Sequence, residues 1–349
     1  MRQVAGAALF ASVLAVSGCG GDQAAGCTEP TLQTDPRELE AALRCGAFDN
    51  PDRPAVLLVH GTFTAGFEQY DWTWRPILEA EGHDVCTVTY PDRGFGDMQR
   101  SAEYVVHALR RMHAESGRRV AVIGHSQGVL VPRWAIRWWP SARAAVDDFI
   151  MLAGPNQGTG AAAIGDLLGV IPGPTTPEVF FQFASDSAFI AALNSGDETP
   201  GDIDYTAVYT RYDELVQPVT PVPTAAIAFG AGNPRVTNVL IQDVCPGRLV
   251  DHVTIGLLDG MSFALARDAM QHPGPADVAR AGGADLCAAL PLVPRLEIAP
   301  LPALLGGLVT TVLQEPGNGL PALNLAAGEP ALRGYASDGA APCSTPMLQ

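Results

Sequence analysis

The stretch of residues 120–128 constrains the fold of this chain more than any other part of its sequence. It reads Val-Ala-Val-Ile-Gly-His-Ser-Gln-Gly, so that four apolar residues run directly into a Gly-x-Ser-x-Gly motif, and a helix-like segment at 129–139 follows. A strand, a sharp turn and a helix in this order form a nucleophile elbow, which presents a serine at the head of the helix. The motif alone is common by chance, but its context predicts that Ser126 is such a serine.

Apolar runs bounded by turn residues recur along the chain and alternate with helix-like segments. The predicted strands are 55–59, 85–90, 120–123, 149–153 and 205–210, and the predicted helices are 36–44, 74–81, 98–116 and 129–139. This alternation indicates an α/β fold, with a doubly wound, mostly parallel sheet and helices on both faces. A hydrophobic content of 47% is enough for a large core.

The amino terminus is predicted to be a targeting segment rather than part of the fold. Arg2 is followed by a short apolar run at 4–16, and Ser-Gly-Cys19 closes the segment. We interpret residues 1–18 as a signal peptide of the bacterial lipoprotein type and Cys19 as the lipidated residue, with ordinary secretion as the alternative. Residues 19–35 then read as a tether and 36–349 as a single catalytic domain. The protein is therefore expected to be exported, and either anchored to a membrane at the cell surface or secreted.

Charge and cysteine content exclude several classes of partner. A formal net charge of −16 argues against nucleic acid, which requires a basic face. No Cys-x-x-Cys pair and no His-Glu-x-x-His motif occurs, so no metal site is expected. With Cys19 set aside, six of the seven cysteines remain. An even number in an exported protein indicates disulfides, for which fifteen pairings are possible.

A serine nucleophile needs a base, and the base needs a group that orients it. After a nucleophile elbow, the acid and then the histidine follow the serine along the chain. Only His252 and His272 lie beyond Ser126, and His272 sits in a Gln-His-Pro-Gly-Pro loop, so His252 is favoured. Asp213 and Glu214 directly follow the fifth predicted strand, where the orienting acid is expected. The residues alone leave the choice between these two carboxylates open.

An oxyanion hole needs main-chain N–H groups that point at the developing negative charge. One donor comes from the residue after the nucleophile, here Gln127, and the other comes from a loop after an early strand. The loop His60-Gly61-Thr62 directly follows the first predicted strand. Thr62 is the favoured second donor because its hydroxyl could add a further hydrogen bond.

Four segments resemble the Candida antarctica lipase B-like group of α/β-hydrolase lipases. They are residues 54–62, 126–128, 212–218 and 251–252, and the resemblance extends from about Cys45 to the C-terminal region. The Asp-Glu-x-Val-Gln-Pro stretch that begins at Asp213 is its most specific part. The resemblance implies an α/β-hydrolase fold and a serine lipase or esterase that needs no cofactor.

The resemblance also implies roles for individual residues. It implies that Asp213 rather than Glu214 orients His252, and that Thr62 and Gln127 donate hydrogen bonds to the oxyanion. It further implies two disulfides, Cys45–Cys86 and Cys245–Cys287. Cys27 and Cys343 then form a third pair by elimination, and the apolar residues 301–313 fall where the family has a helix at the pocket mouth.

Four residues depart from the family pattern, so the pocket beside the nucleophile is expected to differ. They are His60, His125, Val129 and Pro132, the last of which is expected to kink the helix after the elbow. The predicted function is hydrolysis of carboxylic esters such as acylglycerols or similar esters, by a monomer and through an acyl-enzyme. An acyltransferase with an alcohol acceptor is the alternative, and a non-catalytic module on the same scaffold is a third hypothesis.

Overall fold

The computed structural model describes residues 29–160, 176–292 and 324–337. Their strands are β1 Leu43–Cys45, β2 Ala55–Val59, β3 Val85–Val88, β4 Val120–His125, β5 Val146–Leu152, β6 Thr176–Pro177, β7 Asp204–Tyr209, β8 Val236–Leu240 and β9 Leu325–Ala326. Seven of them form one sheet in the order β1-β3-β2-β4-β5-β7-β8, and β6 pairs with β9. Within the large sheet, β1 is antiparallel to β3 and every other neighbouring pair is parallel. The predicted mostly parallel sheet is confirmed.

Helices cover both faces of this sheet. Within the described residues they are Pro36–Ala41, Gly66–Tyr70, Trp74–Ala80, Met98–Ser116, Gln127–Trp138, Pro140–Ala144, Glu178–Phe183, Ala188–Asn194, Ile241–Val244, His252–Leu257, Gly260–Gln271 and Val278–Ala281, with 3₁₀ turns at Pro91–Gly94 and Gly283–Ala288. None of these helices combines the length and the apolar character needed to span a membrane.

The central strands are buried because their sequences are continuous apolar runs, as both faces of a helix-covered parallel sheet require. All five residues of Ala55–Val59 are buried. Side chains alternate between the faces of a strand, and two core clusters result. Leu57 packs in a cluster with Trp134, whereas Leu58 packs in a second cluster with Trp74. Because successive apolar side chains of β2 point to opposite faces, helices pack against both sides of the sheet.

Two strands of the sheet were not predicted from the sequence. The helix expected over residues 36–44 ends at Ala41, and Leu43–Cys45 continues as β1. This three-residue strand exists because it pairs with β3, where Cys45 lies opposite Cys86. The other missed strand, β8, interrupts its apolar residues with Thr237 and Asn238 and lies at the sheet edge, so no apolar run marks it.

Two disulfides cross-link the described residues at the pairs implied by the family resemblance. Cys45 is bonded to Cys86, and Cys245 is bonded to Cys287. Disulfides form in oxidising compartments, and these two indicate an exported protein. The predicted lipidation site Cys19, the predicted pair Cys27–Cys343 and the apolar residues 301–313 lie outside the described residues.

The predicted tether is partly folded onto the domain. The indole Nε1 of Trp139 donates to the main-chain oxygen of Pro30 at 2.7 Å. The buried carboxylate of Glu103 accepts hydrogen bonds from the main-chain N–H groups of Gln33 and Thr34, each at 2.7 Å. Residues 29–35 therefore belong to the folded domain, because their polar main chain satisfies buried side chains that a free tether would leave unpaired.

Candidate active site

Ser126 stands on the sharp turn between β4 and the Gln127–Trp138 helix. Its φ of 56° lies in the left-handed region, which is uncommon for a residue with a Cβ. The flanking glycines make this turn possible. A Cβ on Gly124 would lie 2.0 Å from the main-chain oxygen of Gly128, and a Cβ on Gly128 would lie 2.2 Å from that of Val59. The motif therefore folds as the strand–turn–helix that its sequence predicted.

The imidazole of His252 lies between Ser126 and Asp213. Its Nε2 is 2.9 Å from Oγ of Ser126, and its Nδ1 is 3.0 Å from both carboxylate oxygens of Asp213. His252 is the first residue of the His252–Leu257 helix and is only 3% exposed. Because a carboxylate only accepts, Nδ1 carries the proton and Nε2 presents its lone pair to the serine hydroxyl. The structure thus brings together the three residues that the sequence predicted.

The geometry distinguishes between the two carboxylates left open by the sequence. Asp213 is buried in the turn after β7, where its Oδ1 also accepts hydrogen bonds from Leu215 N at 2.9 Å and Val216 N at 2.7 Å. These bonds fix the carboxylate toward the imidazole. Glu214 is exposed and accepts instead from the main-chain N–H of His252 at 3.1 Å. Asp213 is therefore the carboxylate that contacts the ring.

Thr62 and Gln127 face each other beside the nucleophile. The hydroxyl of Thr62 donates to Oε1 of Gln127 at 2.9 Å. Among the described residues, neither the main-chain N–H of Thr62 nor that of Gln127 has an acceptor. Gln127 begins its helix, where N–H groups are unpaired and favour a negative charge. Both residues can therefore supply the donors of an oxyanion hole.

An ion pair fixes the loop that carries Thr62. Arg93 forms a two-pronged pair with Glu68, whose second oxygen also accepts from the main-chain N–H of Ala65 at 3.0 Å. Phe63, which has a φ of 75°, donates its N–H to the main-chain oxygen of Arg93 at 2.9 Å. No sequence motif marked this support, because Arg93 and Glu68 are 25 residues apart.

The four departures from the family pattern are all buried in this region. His60 stacks on Tyr90 with 3.9 Å between ring centres, and burial lowers its pKa to about 4. His125 contacts the main chain of His252, and burial lowers its pKa to about 3. Pro132 lies inside a helix that continues to Trp138, so it does not end that helix.

Neither His272 nor Asp251, the residue before His252, contacts the triad through its side chain. The ring of His272 is bonded to Asp268 and is 45% exposed, as expected for the histidine that was set aside. Asp251 caps its own helix by accepting from Thr254 N at 2.7 Å, so it does not compete for the imidazole. Three further residues beside the site carry no sequence motif: Glu68 and Arg93, which hold the Thr62 loop, and Gln69, whose side chain contacts Gly61 and His125.

The chain is similar to known lipases in sequence and in structure. The class 2 lipase family matches residues 52–228. Lipase B of Pseudozyma antarctica is 30% identical over 250 residues, which cover 70% of each chain. The crystal structure of Aspergillus fumigatus lipase B has a TM-score of 0.73 and 28% identity, and the match covers 88% of this chain and 73% of that chain.

A more distant structure, Bacillus licheniformis lipase BlEst2 in its propeptide form, supports the fold. It has a TM-score of 0.50 and 17% identity, over 67% of this chain and 54% of that one. The fold is that of the α/β-hydrolases, and the protein is a carboxylic ester hydrolase. Both the span of the family match and the identity to a lipase B show that the chain belongs to the class 2 lipase family.

Proposed function

We propose that the protein hydrolyses carboxylic esters of lipids through an acyl-enzyme on Ser126. The observation that supports this proposal is the continuous hydrogen-bonded line from Ser126 Oγ through the His252 imidazole to the Asp213 carboxylate, with distances of 2.9 and 3.0 Å. A nucleophile, a base within hydrogen-bond reach and a group that orients the base are the parts that acyl transfer requires. Ser126 and Asp213 follow the carboxyl ends of β4 and β7, where α/β folds bind their ligands, and His252 lies after β8.

In acylation, Ser126 Oγ attacks the ester carbonyl carbon while its proton passes to Nε2 of His252. Asp213 accepts the Nδ1–H bond and stabilises the imidazolium, so the ring keeps the tautomer that the reaction needs. The tetrahedral intermediate collapses, the C–O bond to the alcohol breaks, and His252 returns the proton to that oxygen. Water then repeats the sequence on the acyl-enzyme and releases the acid. His252 acts as the base through its unprotonated Nε2.

The developing negative charge would be stabilised by Thr62 and Gln127. Their main-chain N–H groups supply two donors, and the Thr62 hydroxyl supplies a third when it turns from Oε1 of Gln127 toward the oxyanion. Donors that are already fixed in place need no reorganisation during the reaction, and loss of one typically lowers turnover by about 10²–10³-fold.

Acylglycerols and similar esters are the substrate class that fits this chain. Three apolar side chains close to triad residues in sequence are exposed to solvent: Tyr212 at 46%, Leu249 at 80% and Val253 at 49%. These residues expose apolar side chains in the two segments that carry Asp213 and His252, and we propose that the acyl chain of the substrate contacts them. The lipases to which the chain is similar support hydrolysis over acyl transfer to an alcohol.

Hydrolysis of p-nitrophenyl butyrate by the full chain tests this function. Ser126→Ala should abolish turnover, because the variant has no nucleophile. Its melting temperature should stay close to that of the wild type. Ser101→Ala is the matched control: Ser101 is buried on the Met98–Ser116 helix and should tolerate the change with activity intact. Turnover that survives in Ser126→Ala would overturn the assignment. A series of acyl lengths, run above and below the solubility of each ester, then distinguishes a lipase from an esterase.

We further propose that the exported protein is anchored through a lipid on Cys19. The apolar run at 4–16 and the Ser-Gly-Cys19 sequence support this reading over simple secretion. A diacylated or triacylated amino terminus would hold the enzyme at a membrane, since each buried CH₂ contributes roughly 0.8 kcal/mol. Mass spectrometry of the mature protein should find Cys19 as a modified first residue. An unmodified first residue beyond position 19 would exclude the anchor.

A further inference from the structure

His125 is a buried titratable residue that the proposed reaction does not use. It directly precedes Ser126 at the end of β4 and is only 7% exposed. Its Nε2 lies 2.7 Å from the main-chain oxygen of His252, and the two rings are 5.1 Å apart. His125 therefore contacts the same residue that serves as the proposed base, but through the main chain rather than the ring.

Gln69 links His125 to the loop that carries Thr62. It is 2% exposed, and its Nε2 lies 3.1 Å from Nδ1 of His125. Its Oε1 accepts hydrogen bonds from the main-chain N–H of Gly61 at 2.9 Å and from Oγ1 of Thr64 at 3.0 Å. These two donors fix the amide, so that its oxygen faces the loop and its NH₂ group faces His125.

The hydrogen-bond partners of His125 are consistent with only one protonation state of its ring. A carbonyl oxygen only accepts, so Nε2 of His125 carries the proton and donates to His252. The NH₂ group of Gln69 only donates, so Nδ1 of His125 accepts. A protonated His125 ring would set an N–H against that NH₂ group. The hydrogen bonds that join the Thr62 loop, through Gln69 and His125, to the main chain of His252 can therefore all form only when the ring of His125 is neutral.

Close packing fixes the ring of His125 between the same two segments. A Cβ on Gly256, in the His252–Leu257 helix, would lie 2.2 Å from Cδ2 of His125. A Cβ on Gly61 would lie 3.4 Å from Nδ1 of the same ring, within van der Waals contact. Any movement of the helix relative to the Thr62 loop must therefore displace the ring or break its hydrogen bonds.

We propose that Gln69 and His125 are positioning residues that hold the main chain of His252 at a fixed position relative to the Thr62 loop. They thereby determine where Nε2 of His252 lies relative to Oγ of Ser126 and to the N–H groups that would donate hydrogen bonds to the oxyanion. The inference rests on the proposed function, because it assigns these residues to the geometry of that reaction. Misplacement of a reacting group by about 1 Å can lower a rate by about 10²-fold.

Four variants of the full chain test this proposal by the pre-steady-state acylation rate with p-nitrophenyl butyrate. His125→Leu and Gln69→Met remove the hydrogen bonds with similar side-chain volume, and each should slow acylation by about 30- to 100-fold with KM changed less than threefold. His125→Gln should recover to within about fivefold of the wild type, because its amide nitrogen can reach the place of Nε2. Thr73→Val is the matched control: it removes a buried 2.8 Å bond to the main-chain oxygen of Gln69 and leaves the side chain of Gln69 in place.

The double variant Gln69→Met/His125→Leu separates positioning from general destabilisation. Because the two residues act in series, the double variant should be no slower than the slower single variant, whereas independent effects would multiply. Multiplied losses, or His125→Leu within threefold of the wild type, would overturn the inference while the proposed function stands. If the wild-type chain fails to hydrolyse the ester at all, the proposed function is wrong and the inference falls with it.

Discussion

The catalytic edge and the amino-terminal flank of this molecule both join distant segments through polar side chains, but the groups of the edge are buried whereas ion pairs on the surface of the flank are exposed. The catalytic edge consists of Ser126, Asp213, His252, Gln69 and His125, and the flank consists of residues 29–45 and the Met98–Ser116 helix. At the edge, the Asp213 and His252 side chains are 1% and 4% exposed. In the flank, the Arg100 and Glu38 side chains form a 2.8 Å pair but are 46% and 45% exposed.

This difference in exposure determines what each contact contributes. Water competes for the groups of an exposed ion pair, so such pairs contribute about 0–1 kcal/mol each. A buried polar group that loses its partner keeps its desolvation cost of about 1–3 kcal/mol. A flank pair such as Arg111–Glu40 is therefore replaceable. The buried hydrogen-bonded groups of the catalytic edge hold its side chains in a single arrangement, as a reaction centre requires.

Asp213→Asn should produce the largest effect, because the amide can no longer accept from Nδ1 of His252 without turning, and the ring then favours the wrong tautomer. We expect kcat to fall by about 10³–10⁴-fold with the fold intact. Steady-state kinetics and circular dichroism check this result. Asp251→Asn is the control, because Asp251 is adjacent to His252 but caps a helix, and it should retain activity within about tenfold. A larger loss in Glu214→Gln than in Asp213→Asn would contradict the assignment.

Thr62→Val should have the next largest effect, because it removes the hydroxyl but keeps the side-chain volume and the main-chain N–H. We expect kcat to fall by about 10²-fold with little change in KM, as for a donor that acts only in the transition state. Thr62→Ser keeps the hydroxyl and should recover most of the rate. Equal rates in the valine and serine variants would show that the hydroxyl takes no part.

The buried neutral histidines should make folding stability fall in acid. Burial lowers the pKa of His125 in the folded chain from its ordinary value of 6.5 to about 3, so between these values the unfolded chain binds a proton that the folded chain does not. Stability therefore decreases as pH falls through this window. Between pH 6.5 and 4.5, His125→Gln should lose about 2 kcal/mol less than the wild type, measured by chemical denaturation. Parallel losses in the two proteins would contradict a neutral buried ring.

Arg111→Ala should have the smallest effect, since its pair with Glu40 in the flank is exposed. We expect a loss of less than about 1 kcal/mol in the free energy of unfolding and unchanged kinetics. Asp84→Asn provides the buried comparison, because the Asp84 side chain is 1% exposed and pairs with Arg118 at 2.7 Å. Asp84→Asn should lower the free energy of unfolding several times more than Arg111→Ala does. If Arg111→Ala costs as much as Asp84→Asn, exposure does not determine the contribution of these pairs.

The two regions also differ in how far the sequence predicted them. The elbow around Ser126 and the central strands follow from local patterns, because apolar runs and glycines act within a few residues of the chain. Strand β1 was mistaken for the end of a helix, since only its pairing with β3 makes it a strand. The residues alone could not separate Asp213 from Glu214, which are adjacent; the family resemblance and then the buried turn did so.

The Gln69–His125 connection could not be found from the sequence for the same physical reason. Its two residues are 56 positions apart, and His125 is 127 positions from the main-chain oxygen that it contacts. His125 was recognised only as a departure from a family pattern. The hydrogen bonds that explain the departure exist only after the sheet and the His252–Leu257 helix have packed together.

The identity of the nucleophile is tested most directly by labelling the native full chain with a fluorophosphonate and mapping the modified peptide by mass spectrometry. An activated serine should take up one phosphonyl group per chain, on Ser126, and the heat-denatured protein should take up none. Asp213→Asn should label much more slowly than the wild type, since its base is no longer held in the reactive tautomer. A label on another residue, or an active enzyme that leaves Ser126 unmodified, would contradict the proposed reaction.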